Sequence, residues 1–155
     1  MQPSRHFAFS AALGLAISPW LGVAGGLGCL LGGTLIDVDH VADYVLDRGG
    51  WQGRPAFERY FYGNQMRRLV LVLHGFDLLL IAGLALVWIG PRPALAPWLW
   101  GAWLGASLHL LCDWWSNPLR PGGYFFLFRA FQGFRPERLL DPARVERQRV
   151  RLGLV

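Results

Sequence analysis

Apolar positions along the chain gather into long blocks instead of alternating or marking one face of a helix. The first block runs from Phe7 to Ile36. A straight membrane-spanning helix needs about 20 apolar residues, so this block is long enough to hold two helices. Ser18-Pro19 falls near its middle, and proline inside a helix removes a hydrogen bond and crowds the preceding turn. The pattern predicts a first helix over about Ser4 to Ile17, short enough for a partial or tilted span, and a second over about Trp20 to Ile36. A polar segment, 37–68, opens with Asp37-Val38-Asp39-His40. Asp43 and Asp47 continue it as the solvated face of a short helix, and Gly49-Gly50 opens a loop. A third helix is predicted over about Leu69 to Ile89 and a fourth over about Leu95 to Ser116, with Pro91, Pro93 and Pro97 between them and Asn117-Pro118 as the stop. The aromatic run Tyr124 to Phe128 reads as an interfacial segment. The expected fold is all-α, a polytopic membrane protein of about four transmembrane helices. Its expected organisation is a helical membrane domain over 1–118, with a cytoplasmic polar segment at 37–68, and a basic, aromatic tail over 119–155.

Composition sharpens this picture. Hydrophobic residues make up 54% and charged residues 16%, against about a quarter charged in soluble domains. All fifteen basic residues are arginine, giving a net charge of +5. They flank the apolar blocks, where anionic lipid headgroups are the nearer partner, so no nucleic-acid partner is expected. With four spans, Arg5, five arginines of 37–68 and eight of the tail share one side, and Arg92 stands alone on the other. The positive-inside rule makes the rich side, with both termini, cytoplasmic. No small-x-small cleavage site follows the first apolar run, so that run reads as a retained helix. Cys29 and Cys112 lie in apolar segments as small hydrophobes. The glycines of the second helix, Gly28 and Gly32 among them, read as close helix packing. Nothing in the sequence indicates an oligomeric state.

The polar residues left inside or beside the apolar blocks carry the chemistry. His6 opens the first helix, and Asp37, Asp39 and His40 close the second at the same face. His74 falls five residues into the third, or about 8 Å below that face at 1.5 Å per residue. His109 and Asp113, one helical turn apart, occupy the matching half of the fourth. The topology rests on arginines alone, so this agreement in depth is independent support for one site. Ionisable groups at membrane depth are costly and normally face a bundle interior or a wet cavity. Mixed imidazole and carboxylate donors suit zinc, manganese or iron, whereas an all-carboxylate set would suit magnesium or calcium. The blander readings are an interfacial His6 and a His74–Asp77 pair that only joins helices.

Four motifs together resemble the membrane-bound metal-dependent hydrolase family of bacterial inner-membrane proteins. They are Arg5-His6-Phe7-Ala8-Phe9-Ser10, Asp37-Val38-Asp39-His40, Leu73-His74-Gly75, and His109-Leu110-Leu111-Cys112-Asp113. The likeness covers about Ser4 to Pro118. It departs at Ile36, where many members have proline, and at His74, where many carry a longer His-Arg-Gly-x-x-His motif. A looser likeness, in ligand order only, is to zinc-dependent phospholipase C.

The expected function is a metal-dependent hydrolase at the cytoplasmic headgroup level of the inner membrane, acting on a phosphoester or phospholipid-like substrate. His6, Asp37, His40, His74, His109 and Asp113 are the expected ligands of one or two ions, zinc first, with Asp113 a candidate bridge. Asp39 or Asp77 would orient a histidine or act as base, and Arg67 and Arg68 would hold substrate phosphate. The rivals are a non-enzymatic metal-binding transporter or sensor and a purely structural membrane protein. A transporter would continue its polar residues to the outer face, and beyond Asp77 and Ser107 the third and fourth helices do not.

Overall fold

In a computed structural model of the chain, residues 3–151 and 153 are described. They form helices and connecting loops, with no strands among them. The first element, α1 (Pro3–Leu35), is two helices joined at Gly22, whose φ of 68° and ψ of 177° are non-helical. The break falls three residues beyond Pro19. Proline fixes φ near the helical value, and Ser18 donates its hydroxyl to the Gly14 carbonyl at 2.7 Å, so the helix carries on to the first residue that tolerates a positive φ. The limbs fold back on one another. A Cβ on Gly14 would meet the backbone of Gly26, and Ser10 lies against Gly33.

The polar segment holds two helices, α2 (Val38–Arg48) and α3 (Arg54–Tyr62). The third apolar block becomes α4 (Phe76–Ile89), seven residues shorter than its hydropathy predicts. The fourth becomes α5 (Ala96–Ser116), as predicted within a residue. The tail folds into a 3-10 turn (Pro121–Tyr124), α6 (Phe126–Phe131), α7 (Pro136–Leu139) and α8 (Pro142–Arg151).

α5 runs parallel to the second limb of α1 at backbone contact. A Cβ on Gly101 would strike the Gly25 carbonyl, one on Gly105 the Cys29 carbonyl, and one on Gly32 the Ala102 carbonyl. Small residues allow this approach. It brings residues 33–40 level with residues 105–113, which places the site. Elsewhere the apolar helices turn large side chains outward. Leu15, Trp20, Val23, Leu84, Val87, Trp88 and Trp115 are all exposed, a belt that water would not tolerate and acyl chains would cover. Ser4–Arg48, running through α1 and α2, is long and apolar enough to cross a membrane, and α4 is a shorter apolar helix.

A second core lies beyond the apolar helices. Tyr44, Tyr60, Met66, Leu69, Leu71, Leu119, Tyr124 and Leu139 bury one another there. This cap explains the late start of α4. Residues 69–75 are held out of helix because their backbone groups bond elsewhere. Asp43 Oδ2 accepts the Val70 and Leu71 N–H at 2.8 and 3.0 Å, Asp39 Oδ2 accepts the Leu73 N–H at 2.8 Å, and the Phe134 carbonyl accepts the Leu69 N–H at 2.9 Å. From the other side the wholly buried Arg129 donates to the carbonyls of Leu71, His74 and Gly123 at 2.7, 2.9 and 2.6 Å. With these N–H and C=O groups satisfied by side chains and by the Phe134 carbonyl, the segment has no need of helix. Asp43 and Asp47 are therefore not a solvated face: Asp47 accepts from the Tyr60 hydroxyl at 2.8 Å and the Arg67 N–H at 3.1 Å. Burial pushes the Asp43 carboxyl above its ordinary value despite its two backbone donors, and burial, with the Asp47 hydrogen bond second, pushes the Tyr60 phenol up.

Candidate metal centre

Three devices aim the histidines. The Gly33 carbonyl, near the end of α1 where carbonyls lose their helical partners, lies 2.7 Å from His109 Nδ1. A carbonyl only accepts, so Nδ1 bears the proton and Nε2 points its lone pair the other way. Asp39 does the same for His74, with carboxylate oxygens 3.0 and 3.2 Å from Nδ1. His6 stacks on the His109 ring, with centroids 3.6 Å apart and planes 13° apart.

The result is a meeting of lone pairs. His74 Nε2 and His109 Nε2 stand 3.3 Å apart. With both Nδ1 atoms protonated, two neutral rings have no proton to share through Nε2, so the pair calls for a shared proton or a metal cation between them. Two carboxylates complete the figure. Asp37 Oδ1 lies 3.5 Å from His74 Nε2 and 3.3 Å from His109 Nε2. Asp113 Oδ2 lies 3.6 and 3.4 Å from the same atoms. A tetrahedron of donors about 2.0–2.1 Å from an ion has edges of about 3.3–3.4 Å. All five of these separations fall near that length. Asp113 offers its other oxygen to His6 Nε2 at 2.9 Å, and Asp37 Oδ1 lies 3.5 Å from His40 Nε2. The donors form two overlapping groups, Asp37, His40, His74 and Asp113 on one side and His6, Asp37 and His109 on the other.

Burial raises the stakes. His6, His74, His109 and Asp113 are each 3% exposed or less. Asp37, Asp39 and Asp113 place three carboxylates among four imidazoles that are neutral when unprotonated, a surplus of negative charge that divalent cations would balance. The residues thus fit a metal in donor type, spacing and charge. One wall opens to a cavity of about 790 Å³ reached by Asp37, His40, His74 and Asp113 and lined also by Phe57, Phe61, Tyr62 and Leu71.

All six expected ligands come together, with Asp39 directly behind His74. Asp77 does not join them. Its carboxylate accepts the N–H groups of Phe126 and Leu127 at 2.8 and 2.9 Å and anchors the start of α6. Arg67 and Arg68 also lie outside the cavity lining, and the Arg67 N–H is tied to Asp47. Sequence reasoning missed Arg129 and Tyr124. The Tyr124 hydroxyl donates to the Asp113 carbonyl at 2.6 Å. The signal for Arg129 was available, since an arginine inside the run Phe125 to Phe134 is costly unless its donors are taken up.

An all-helical protein with an outward apolar belt and a buried histidine–carboxylate cluster at one end of its bundle is a membrane-protein class with a potential metal site. The chain belongs to the YdjM inner membrane protein family, which it matches over residues 1–134. That membership points to an inner-membrane location. Neither a curated protein nor a solved structure matches the chain.

Proposed function

We propose that this chain is a membrane-embedded, metal-dependent hydrolase with four spans, the two limbs of α1, α4 and α5, and with its centre at the cytoplasmic headgroup level. The observation that carries the reading is the pair of Nε2 atoms on His74 and His109, 3.3 Å apart and set at a tetrahedral edge with Asp37 and Asp113. The arginine distribution supports the orientation, with both termini cytoplasmic. The cavity supports hydrolysis, because a site built only to hold helices together has no use for an opening onto its donors. Phosphoesters, phospholipid-like ones first, are the substrate class that an interfacial cavity with arginines and apolar walls suits best.

When bound, zinc, or manganese or iron in its place, supplies Lewis acidity toward a phosphoryl oxygen and acidifies water. The protein's own residues do the rest. Asp39 and the Gly33 carbonyl hold the two imidazoles in the tautomer that leaves Nε2 free. Asp113, with its two oxygens turned to different histidines, is placed to bridge two ions. Asp37, less buried than Asp113 and facing the cavity, is the carboxylate best placed to orient an attacking water. Asp77 serves architecture.

The test is metal content and turnover of detergent-purified full-length protein. Roughly one to two equivalents of zinc per chain are expected, lost in Asp113→Asn and His109→Gln without loss of membrane insertion. Hydrolysis of a phosphodiester reporter should fall with the metal. A wild type that neither retains zinc nor rebinds it on titration would overturn the proposal.

A further inference from the structure

The centre's cavity is not its only opening. A second groove runs between the start of α1, the end of α5 and α8, with Phe9, Leu111 and Trp115 on its apolar side. Those three are exposed, Trp115 at 88%, on the belt assigned to the bilayer. The other side is basic. Arg144, Arg147 and Arg151 are spaced three and four residues apart on α8, which puts them on one face, and Arg5 faces them from α1. Among the described residues the groove lining contains no carboxylate. Four guanidiniums thus share the lining with no acidic side chain among them.

The two openings share a wall. Arg5, Arg151, Gln148, Ser116 and Asn117 line both the groove and the metal-centre cavity. The step from bilayer to centre therefore passes two cations and three neutral polar groups, and it ends beside Asp113. Gln148 adds a detail, since its buried Oε1 has no hydrogen-bond partner among the described residues and would accept from a hydroxyl donor.

We propose that this shared wall is a lipid phosphate site: Arg5 and Arg151 hold the phosphate of an anionic phospholipid whose acyl chains lie along Phe9, Leu111 and Trp115 and whose headgroup reaches the centre sideways from the membrane. The inference rests on the hydrolase reading for the chemistry after binding, and it moves the phosphate contact from Arg67 and Arg68 to Arg5 and Arg151. Guanidinium forks match phosphate oxygens, and the apolar wall separates a lipid from free phosphate. A glycerol headgroup would give the Gln148 oxygen its donor.

Short-chain phosphatidylglycerol, titrated into full-length detergent-solubilised protein and followed by native mass spectrometry, tests this. Arg5→Gln with Arg151→Gln should weaken binding about tenfold or more, on the scale of about two interfacial arginines. Arg135→Gln with Arg138→Gln removes the same charge from the tail outside the groove and should leave affinity unchanged. Trp115→Ala should weaken the lipid and not inorganic phosphate. Equal loss in the two double variants would reduce the effect to net charge and overturn the site, as would full competition by inorganic phosphate at concentrations equal to the lipid. Unchanged thermal melting shows that the variants fold. Chelated wild type should still bind lipid, because the arginines are not ligands. A protein that binds lipid this way but never holds metal would defeat the hydrolase reading alone. Metal-replete protein whose lipid affinity ignores Arg5 and Arg151 would defeat this inference alone.

Discussion

Asp43 bonds the backbone that carries His74, and removing it tests whether the loop or the helix bundle positions the centre. Its Oδ2 accepts both the Val70 and the Leu71 N–H. Asp43→Ala orphans both donors at about 1–3 kcal/mol each when buried. The site is half-buried and water can reach part of it, so about 2–3 kcal/mol in total is expected. Asp43→Asn keeps an oxygen in the same place. Burial already outweighs the two N–H groups and raises the carboxyl from its ordinary 3.8, so ionisation is not what makes the contact favourable. The amide should lie within about 1 kcal/mol of wild type. A carboxyl with a raised folded pKa contributes stability that is fully present below its unfolded pKa and is lost as pH rises through its folded pKa. Asp43→Asn should therefore flatten the stability profile above pH 3.8, where wild type loses that contribution. Because His74 rides on the same segment, zinc affinity should fall about 10–100-fold in Asp43→Ala and little in Asp43→Asn. Thermal melts with and without zinc, and a competitive zinc titration, read both effects. An alanine variant with wild-type zinc affinity, or an asparagine variant as damaged as alanine, would refute the positioning of His74 through Asp43.

Other perturbations separate architecture from chemistry. Arg129→Met takes a donor from three carbonyls, of which Leu71 keeps the His74 N–H at 3.0 Å, and should cost about 2–3 kcal/mol or more by thermal melting. Asp77→Ala should lower stability by about 0.5–2 kcal/mol, the scale of a lost helix cap, while zinc content stays at the wild-type level; lost zinc would return Asp77 to the centre. Gly105→Ala forces a methyl onto the Cys29 carbonyl, backbone that cannot swing aside, and should cost about 1–3 kcal/mol or more and loosen zinc with it. Zinc affinity in wild type should weaken as pH falls, because imidazoles bind metal only when unprotonated; a flat titration between about pH 7 and pH 5 would count against histidine ligands.

Much of this was legible in one dimension. Long uncharged blocks, a proline, a run of glycines and a paired stop at Asn117-Pro118 determined that the chain is helical and apolar and where α5 lies. The spacing of His109 and Asp113 put both on one face without further information. The six donors were identifiable because each is costly at its expected depth. What the sequence by itself did not decide was which backbone groups would find partners from distant residues. Leu69 to Gly75 is as apolar as any helix here, yet carboxylates on α2 and a guanidinium on α6 bind its amides and carbonyls and keep it out of helix. Asp77 shares a helical face with His74 only if that stretch is helix; once it is not, Asp77 turns to the α6 N-terminus. Arg5 and Arg151 lie 146 positions apart and line one groove because α8 docks beside the end of α5. Hydropathy and spacing are local and survive in the sequence, whereas hydrogen-bond competition and helix docking are settled between segments and exist only once the chain has folded.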